Sequence, residues 1–116
     1  MEQSSKTLTF VVPAYNMETY LERCVESLLS ATDNSDIEVL IVDDGSSDGT
    51  PELADMYERR WPGNVRAIHQ VNKGHGGAVN TGIANATGMY VKVVDADDWV
   101  DTVSYTHLRA HETEAD

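Results

Sequence analysis

Apolar runs alternate with amphipathic stretches along most of this chain. Short runs rich in β-branched and aromatic residues predict four strands, at Leu8–Val12, Ile37–Val42, Val65–His69 and Met89–Val94. Between them, apolar residues recur at helical spacing and predict helices over Glu18–Ala31, Thr50–Trp61 and around Ala78–Ala86. The pattern is therefore strand and helix in strict alternation, which is typical of an α/β protein.

Local signals mark the ends of these helices. Asn16 and Thr50 are residue types that favour an N-cap, and Pro51 suits the first helical position. The stretch "PGN" at 62–64 should break the second helix, and Gly88 should stop the third. The glycine-rich stretch "NKGHGG" at 72–77 predicts a turn that leads into the third helix.

Alternating strands and helices imply right-handed crossovers and a mostly parallel sheet with helices on both faces. In such sheets, ligands bind outside the carboxyl ends of the strands, near the point where the strand order reverses. The unusual polar segments "PAYN", "DDGS", "NKGHGG" and "DADD" each follow one predicted strand. We therefore expect all four segments to meet at one edge of one sheet.

Composition narrows the class of protein. The 116 residues fit one small domain, and a formal net charge of −12 argues against binding to nucleic acid. A small phosphorylated ligand remains compatible with that charge if a metal ion supplies the positive charge. The single cysteine, Cys24, is interpreted as a buried thiol in a reducing cytosol. No apolar run approaches the roughly 20 residues that span a bilayer, and no secretory signal is visible, so we expect a cytoplasmic chain without a transmembrane segment.

The segment "DADD" has two interpretations. It could be a solvated acidic turn in which Asp95 or Asp97 caps the following segment. Alternatively, Asp95, Asp97 and Asp98 offer hard oxygen ligands to Mg²⁺ or Mn²⁺, and the ion offsets their mutual repulsion. Mg²⁺ usually takes one or two protein carboxylates and completes its shell with phosphates and water. A D-x-D pair therefore suggests a metal–diphosphate partnership.

The other two polar segments are less specific. Asp43 and Asp44 directly follow an apolar strand, which suggests contact with a ligand, such as a base N–H or a ribose hydroxyl. Lys73 or His75 could contact an anionic ligand, although a surface role explains them equally well. His69, Trp61 and Trp99 are interpreted as packing or rim residues.

Taken together and in this order, the motifs are similar to the nucleotide-sugar-binding half of the family 2 glycosyltransferases, which have the GT-A fold. The resemblance is carried by "VVPAYNMETYLERCVESLL", "IEVLIVDDGSSDGT" and "NKGHGGAVNTGIANATGMYVKVVDADDWV", and it covers about residues 7–101. It implies a Rossmann-like GT-A fold that is incomplete at the C-terminus.

The resemblance also implies site residues, all of them for a nucleoside-diphosphate sugar. Pro13, Tyr15 and Asp43 would surround the nucleotide base, and Asp95 would lie near the ribose. Asp97 would ligate Mg²⁺ or Mn²⁺ on the diphosphate. Asp44 and Lys73 are added to the nucleotide-sugar site by the same resemblance.

The parent enzyme would, by the same resemblance, transfer a sugar with inversion to an acceptor hydroxyl on a glycan, a lipid or a polysaccharide precursor. Its location would be cytoplasmic, with the cytoplasmic face of the membrane as an alternative. The general base of the family lies further along the chain, so we leave the catalytic residue unassigned. We expect little transfer activity from this chain alone.

The end of the chain departs from the family pattern. The stretch "VSYTHLRAHET" looks like the translation of a sequencing-library adapter. We therefore expect residues 1–102 to be a partial glycosyltransferase domain and residues 103–116 a non-native tail. His107 and His111 stand four residues apart there, but we assign no metal site to them.

Two other hypotheses remain. "VLIVDD" resembles the acidic pair of response-regulator receivers, which would make the chain an aspartate-based phosphotransfer domain. However, receivers carry that pair after their first strand, and here it follows the second. The chain could also be a non-catalytic nucleotide-binding module.

Overall fold

Four strands and three helices alternate along the part of the chain that the computed structural model describes, residues 6–30 and 36–97. In chain order they are β1 (Leu8–Ala14), α1 (Glu18–Ser30), β2 (Ile37–Asp44), α2 (Thr50–Arg60), β3 (Val65–Gln70), α3 (Gly74–Asn85) and β4 (Tyr90–Val93). The predicted alternation of strand and helix is confirmed.

The strands form one parallel sheet in the order β3-β2-β1-β4. Leu8 of β1 pairs with Ile37 of β2 on one side and with Tyr90 of β4 on the other. The chain thus builds outward from β1 to β3 and then returns to the opposite side of β1. The strand order reverses between the carboxyl ends of β1 and β4, which is where ligands bind in open α/β sheets.

Apolar side chains cover both faces of the sheet. Because successive strand residues point to opposite faces, Phe10 and Val12 of β1 pack in the cluster that contains α1 and α2, whereas Val11 packs with Ala78 of α3. The predicted helices on both faces are therefore confirmed. Strands β1 and β2 lie in the middle of the sheet and are buried along their whole length.

Helix α3 lies close against β1 because it has a glycine at the contact. A Cβ atom on Gly82 would lie 2.3 Å from Cγ1 of Val11, well inside van der Waals contact. The helix is poor in large apolar residues, and its buried positions are Ala78 and Gly82. Small residues thus let this helix approach the sheet and form the floor under the carboxyl edge.

Several element boundaries differ from the prediction, most by one or two residues, among them the end of β1 at Ala14, and two differences bear on the site. Strand β2 continues through Asp43 and Asp44, because both residues pair with β3 rather than entering a loop. The glycine-rich stretch is not a turn before α3: the helix begins at Gly74, with Lys73 as its N-cap residue. Gly74 has a φ of 83°, a left-handed conformation that glycine adopts without steric cost.

The N-caps predicted for α1 and α2 are wrong in detail. Gly49, not Thr50, is the N-cap of α2, although proline in its first turn is confirmed. The Thr50 hydroxyl instead accepts a hydrogen bond from the backbone N–H of Met17 at 2.9 Å, at the start of α1. The Asn16 side chain does not cap α1 but accepts from the N–H of Ser47 at 2.8 Å.

One aspartate, Asp48, bonds to the first backbone N–H groups of both α1 and α2. One oxygen of Asp48 accepts from the N–H of Glu18 at 3.1 Å, and the other from the N–H of Thr50 at 2.9 Å. Burial opposes ionisation of Asp48, but the hydrogen bonds from Thr50 and Glu18 outweigh it and lower the pKa of this carboxyl. The loops after β1 and β2 are thereby tied together beside the carboxyl edge.

Several predictions concern residues outside the described ranges. These are Asp98, Trp99, the domain boundary after residue 102, the 103–116 tail, and His107 and His111 within it. In the described ranges, no helix combines the length and the apolar character that crossing a membrane requires.

Candidate functional site

A cleft of about 310 Å³ lies at the carboxyl edge of the sheet, where the strand order reverses. Segments that follow all four strands contribute to its wall. The lining residues are Pro13, Ala14, Tyr15, Met17, Asp44, Asn72, Gly74, His75, Ala78, Asp95, Ala96 and Asp97. The prediction that the four polar segments meet at one edge is confirmed. Of the sequence-predicted site residues, the cleft brings together Pro13, Tyr15, Asp44, Asp95 and Asp97.

One wall of the cleft is the end of β1. Pro13 and Ala14 are buried, and the next residue, Tyr15, has 49% of its surface exposed. Ser46 supports the backbone on both sides of Tyr15: its hydroxyl donates to the carbonyl of Ala14 at 3.4 Å and accepts from the N–H of Asn16 at 3.0 Å. The exposed aromatic ring therefore stands on a backbone that is held from the neighbouring loop.

Asp43 and Asp44 are adjacent in sequence but face opposite sides of the sheet. Asp43 is 4% exposed and is absent from the cleft lining; its carboxylate accepts from the N–H of Ser46 at 3.1 Å and lies 2.8 Å from Nδ1 of His69. Asp44 lines the cleft. Its carboxylate accepts from the N–H of Lys73 at 2.8 Å and from the Gln70 amide at 2.9 Å.

Lys73 contributes its backbone to this arrangement. Its N–H holds Asp44, whereas its side chain is exposed and does not line the cleft. The first part of that side chain lies over Gly77, where an added Cβ would be 2.5 Å from Cβ of Lys73. The structure thus joins Lys73 to the site through its main chain, a contact that the residue type alone could not have indicated.

The opposite wall of the cleft is the segment after β4. Val94 and Ala96 are buried in the core cluster, so the backbone here is anchored while Asp95 and Asp97 remain exposed. An oxygen of Asp95 lies 2.8 Å from Nε2 of His75. His75, which the sequence left as either a surface or a ligand-contacting residue, therefore lies in the cleft.

The described lining of the cleft carries carboxylates but no lysine or arginine. A diphosphate entering it would need another source of positive charge. Asp95 and Asp97 are hard oxygen donors two residues apart, and a pair of carboxylates suits Mg²⁺ or Mn²⁺ that also binds phosphates and water. No group of three or more His, Cys, Asp or Glu side chains arranged for a metal occurs among the described residues. Two carboxylates leave the rest of the coordination shell of such an ion to phosphates and water.

His69 is the residue that the sequence interpretation missed. It was interpreted as a packing or rim residue, but it lies between two carboxylates: Nδ1 is 2.8 Å from Asp43, and Nε2 is 2.8 Å from Asp55 of α2. The hydrogen bonds to Asp43 and then to Asp55 raise the pKa of the imidazole. Only the register of β2 against β3 could have indicated this pair, because Asp43 and His69 are direct partners in it. Trp61 does pack against the core, as predicted.

Comparison with known proteins shows which family the chain belongs to. The family profile for glycosyl transferase family 2 matches residues 9–111. The chain belongs to this family. Among relatives, it is 43% identical over 101 residues to a protein of Bacillus subtilis (strain 168) named "Uncharacterized glycosyltransferase EpsJ", a match that covers 87% of this chain and 29% of EpsJ.

Solved structures agree with that assignment and with the predicted GT-A fold. TarS of S. aureus, crystallised as residues 1–349 in complex with UDP-GlcNAc, superposes with a TM-score of 0.78 at 29% identity, over 93% of this chain and 31% of the crystallised one. The mannosyltransferase PcManGT from Pyrobaculum calidifontis, in complex with GDP-Man and Mn²⁺, gives a TM-score of 0.72 at 28% identity, over 83% of this chain and 29% of its own. This chain therefore spans about a third or less of the length of each of these relatives.

Proposed function

We propose that this chain is the donor-binding region of a family 2 glycosyltransferase and that it binds a nucleoside-diphosphate sugar together with a divalent cation. The observation that carries the proposal is the cleft itself. It lies at the reversal of strand order, it carries Asp95 and Asp97 on one wall and Tyr15 on the other, and its described lining has no lysine or arginine. The relatives solved with UDP-GlcNAc or with GDP-Man and Mn²⁺ support a UDP- or GDP-linked donor.

The proposed roles divide the cleft between its two walls. Pro13 and Tyr15 contact the base, because an exposed aromatic ring beside a buried proline offers a flat apolar surface. Asp43 acts from behind this wall through Ser46, and Asp44 orients the Lys73 backbone at the cleft floor. Asp95 accepts from ribose hydroxyls on the opposite wall.

Asp97 is the proposed metal ligand. It is exposed in the cleft, and its neighbour Ala96 is buried, so the carboxylate is carried on an anchored segment. A bound Mn²⁺ or Mg²⁺ would act as a Lewis acid that stabilises charge on the diphosphate leaving group. The chain's own contribution is to hold the donor, to orient it between the two walls and to supply the oxygen ligands.

The proposal also covers the stereochemistry and the acceptor of the reaction that the full-length enzyme would catalyse. Transfer would proceed with inversion to a hydroxyl of a glycan, a lipid or a polysaccharide precursor. No described residue is assigned as the general base, whose contribution is typically about 10²–10⁴-fold in rate. The receiver-like alternative is disfavoured because Asp43 and Asp44 face opposite sides of the sheet and do not share one acidic pocket.

Calorimetry with and without Mn²⁺ tests the proposal. We expect UDP to bind about 10-fold or more tightly when Mn²⁺ is present, a difference of about 1.4 kcal/mol, because the ion offsets the charge of both the diphosphate and the carboxylates. Uridine is the matched control, since it lacks the diphosphate and should bind equally in both conditions. Equal affinity for UDP in both conditions would contradict the metal role. Tight binding of beryllofluoride, a phosphoryl mimic, would instead favour phosphotransfer.

A further inference from the structure

A hydrogen-bonded relay runs from the surface of α2 to the wall of the cleft that carries Tyr15, called the base-side wall below. We define the His69 relay as Asp55, His69, Asp43 and Ser46, in that order. Successive members are joined at 2.8 Å, 2.8 Å and 3.1 Å. The relay crosses three elements, since Asp55 belongs to α2, His69 to β3 and Asp43 to β2. Its far end, Ser46, lies in the loop that supports Tyr15.

The geometry of the ring determines its charge. A neutral imidazole carries one N–H donor and one acceptor nitrogen, whereas an ionised carboxylate can only accept. Both nitrogens of His69 face a carboxylate oxygen at 2.8 Å. Two favourable hydrogen bonds therefore require the doubly protonated imidazolium. Loss of one proton leaves one nitrogen without a hydrogen, and the contact of that nitrogen must open. Water can replace the contact to Asp55, whose side chain is 46% exposed, so the remaining proton stays on Nδ1 and bonds to the buried Asp43 as a weaker, uncharged donor.

The loss of charge on the ring reaches the cleft through Asp43. This carboxylate is 4% exposed, so water does little to compensate for a weaker donor. Its other oxygen holds the N–H of Ser46, and the Ser46 hydroxyl bonds to the backbone on either side of Tyr15. A shift of Asp43 therefore passes to the two backbone groups that set the position of the exposed ring.

We propose that His69 is a positioning residue for nucleotide binding, which holds the base-side wall through Asp43 and Ser46 and makes donor affinity depend on pH. The inference rests on the proposed function, because it takes Tyr15 as a contact of the base. His69 does not touch the cleft and is not a catalytic residue. Its effect should be strongest below the pH at which the imidazolium loses its proton.

The groups around His69 give the direction of the pH dependence. Asp43 faces the ring from β2 and Asp55 faces it from α2, and both favour the charged form. Glu52, Glu58 and Arg59 lie about one helical turn from Asp55 and add to the charge near it. UDP affinity should fall by roughly threefold as the pH rises and His69 is deprotonated. This change is smaller than the full contribution of one hydrogen bond to a charged group, because only part of that loss reaches the cleft.

Titration with two readouts tests the proposal. The first is the NMR chemical shift of the Ser46 amide and of the His69 ring nitrogens against pH, and the second is UDP affinity in Mn²⁺ over the same range. We expect the Ser46 amide to follow the His69 titration. Asp55→Asn should move both midpoints to lower pH, because it removes one of the carboxylates that hold the proton. His69→Gln should abolish the response of the Ser46 amide and the part of the UDP profile that Asp55→Asn shifts. Glu22→Gln, a charge-matched change at an exposed position of α1, should leave both midpoints in place.

The comparison of variants separates this relay from other titrating groups. His75 also lines the cleft, but Asp55→Asn does not touch it, so a midpoint that moves in this variant reports on His69. A Ser46 amide that ignores the His69 titration would overturn the inference. An affinity midpoint that Asp55→Asn leaves unchanged would overturn it as well. If UDP fails to bind at any pH, the proposed function fails, while the Ser46 amide still decides whether the relay exists.

Discussion

Two acidic regions of this domain have opposite characters. Glu38, near the amino end of β2, is 5% exposed and has a full set of partners: three donors on Thr9 and Thr87 bond to one oxygen at 2.8–3.0 Å, and Arg66 bonds to the other at 2.8 Å. Asp95 and Asp97, beyond the carboxyl end of β4, are exposed in a cleft. The same chemical group is therefore an internal crosslink in one region and an exposed side chain of the proposed donor cleft in the other.

The difference lies in where the partners come from. Burial penalises the charge of Glu38, but the hydrogen bonds from Thr87 and Thr9 and the charge of Arg66 outweigh this cost and lower the pKa of the carboxyl. Its partners belong to β1, β3 and the segment after α3, so the acid joins elements distant in sequence. Asp95 and Asp97 are exposed to solvent, so a cation can reach their oxygens. A carboxylate with all its partners inside the protein is therefore structural, and one that faces a cleft is available for binding.

Removing Glu38 should give the largest effect. Glu38→Ala leaves the donors of Thr9 and Thr87 buried without an acceptor, so we expect the free energy of unfolding to fall by about 3 kcal/mol. The part due to Arg66 is small, because its side chain is 41% exposed and water screens the pair. Urea denaturation measures the change. Asp97→Ala, at an exposed position, should alter stability by less than about 0.5 kcal/mol; similar losses in the two variants would refute the distinction.

Asp97→Asn should give the next largest effect, and only on binding. The substitution removes a charged ligand at nearly constant shape, so metal-dependent UDP binding should weaken by about 10-fold, or roughly 1.4 kcal/mol. Calorimetry in Mn²⁺ provides the measurement. Glu22→Gln removes the same charge from an exposed site on α1 and should leave the affinity unchanged. Equal weakening in both variants would mean that the cleft acts through bulk charge alone.

The pH dependence of stability should give the smallest effect. Glu38 has a folded-state pKa below its ordinary value of 4.5, so its stabilisation is present above that pH and is lost as the pH falls through the lower folded-state value. The urea midpoint of Glu38→Gln, which cannot titrate there, should fall less steeply with acidification than that of the wild type. Parallel profiles would show that other carboxylates dominate the acid response.

The sequence predicted the elements well because their signals are local. Runs such as Ile37–Val42 and the helical spacing of Leu21, Cys24 and Leu28 require only the periods of a strand and a helix. The boundaries were less accurate where pairing decided them. Asp43 and Asp44 belong to β2 because β3 continues beside them to Gln70, and no property of the two aspartates themselves indicates this.

The caps failed for a related reason. Thr50 has the side chain of a good N-cap, but its hydroxyl bonds to Met17 on another loop, and Asp48 serves two helices at once. Sequence reasoning assigns a capping side chain to the helix that follows it. In this protein the loops after β1 and β2 lie side by side, so each can satisfy the backbone of the other.

By itself, the sequence determined the α/β class, the parallel direction of the strands and the gathering of four polar segments at one edge. These properties follow from periodicity and from the rule that parallel strands end on the same side. Only the tertiary structure decided the strand order β3-β2-β1-β4, the buried partners of Glu38 and the contact of His69 with Asp43 and Asp55. The physical reason is that hydrogen bonds and desolvation act between groups that are close in space, and the distance between them is set by packing rather than by position in the chain.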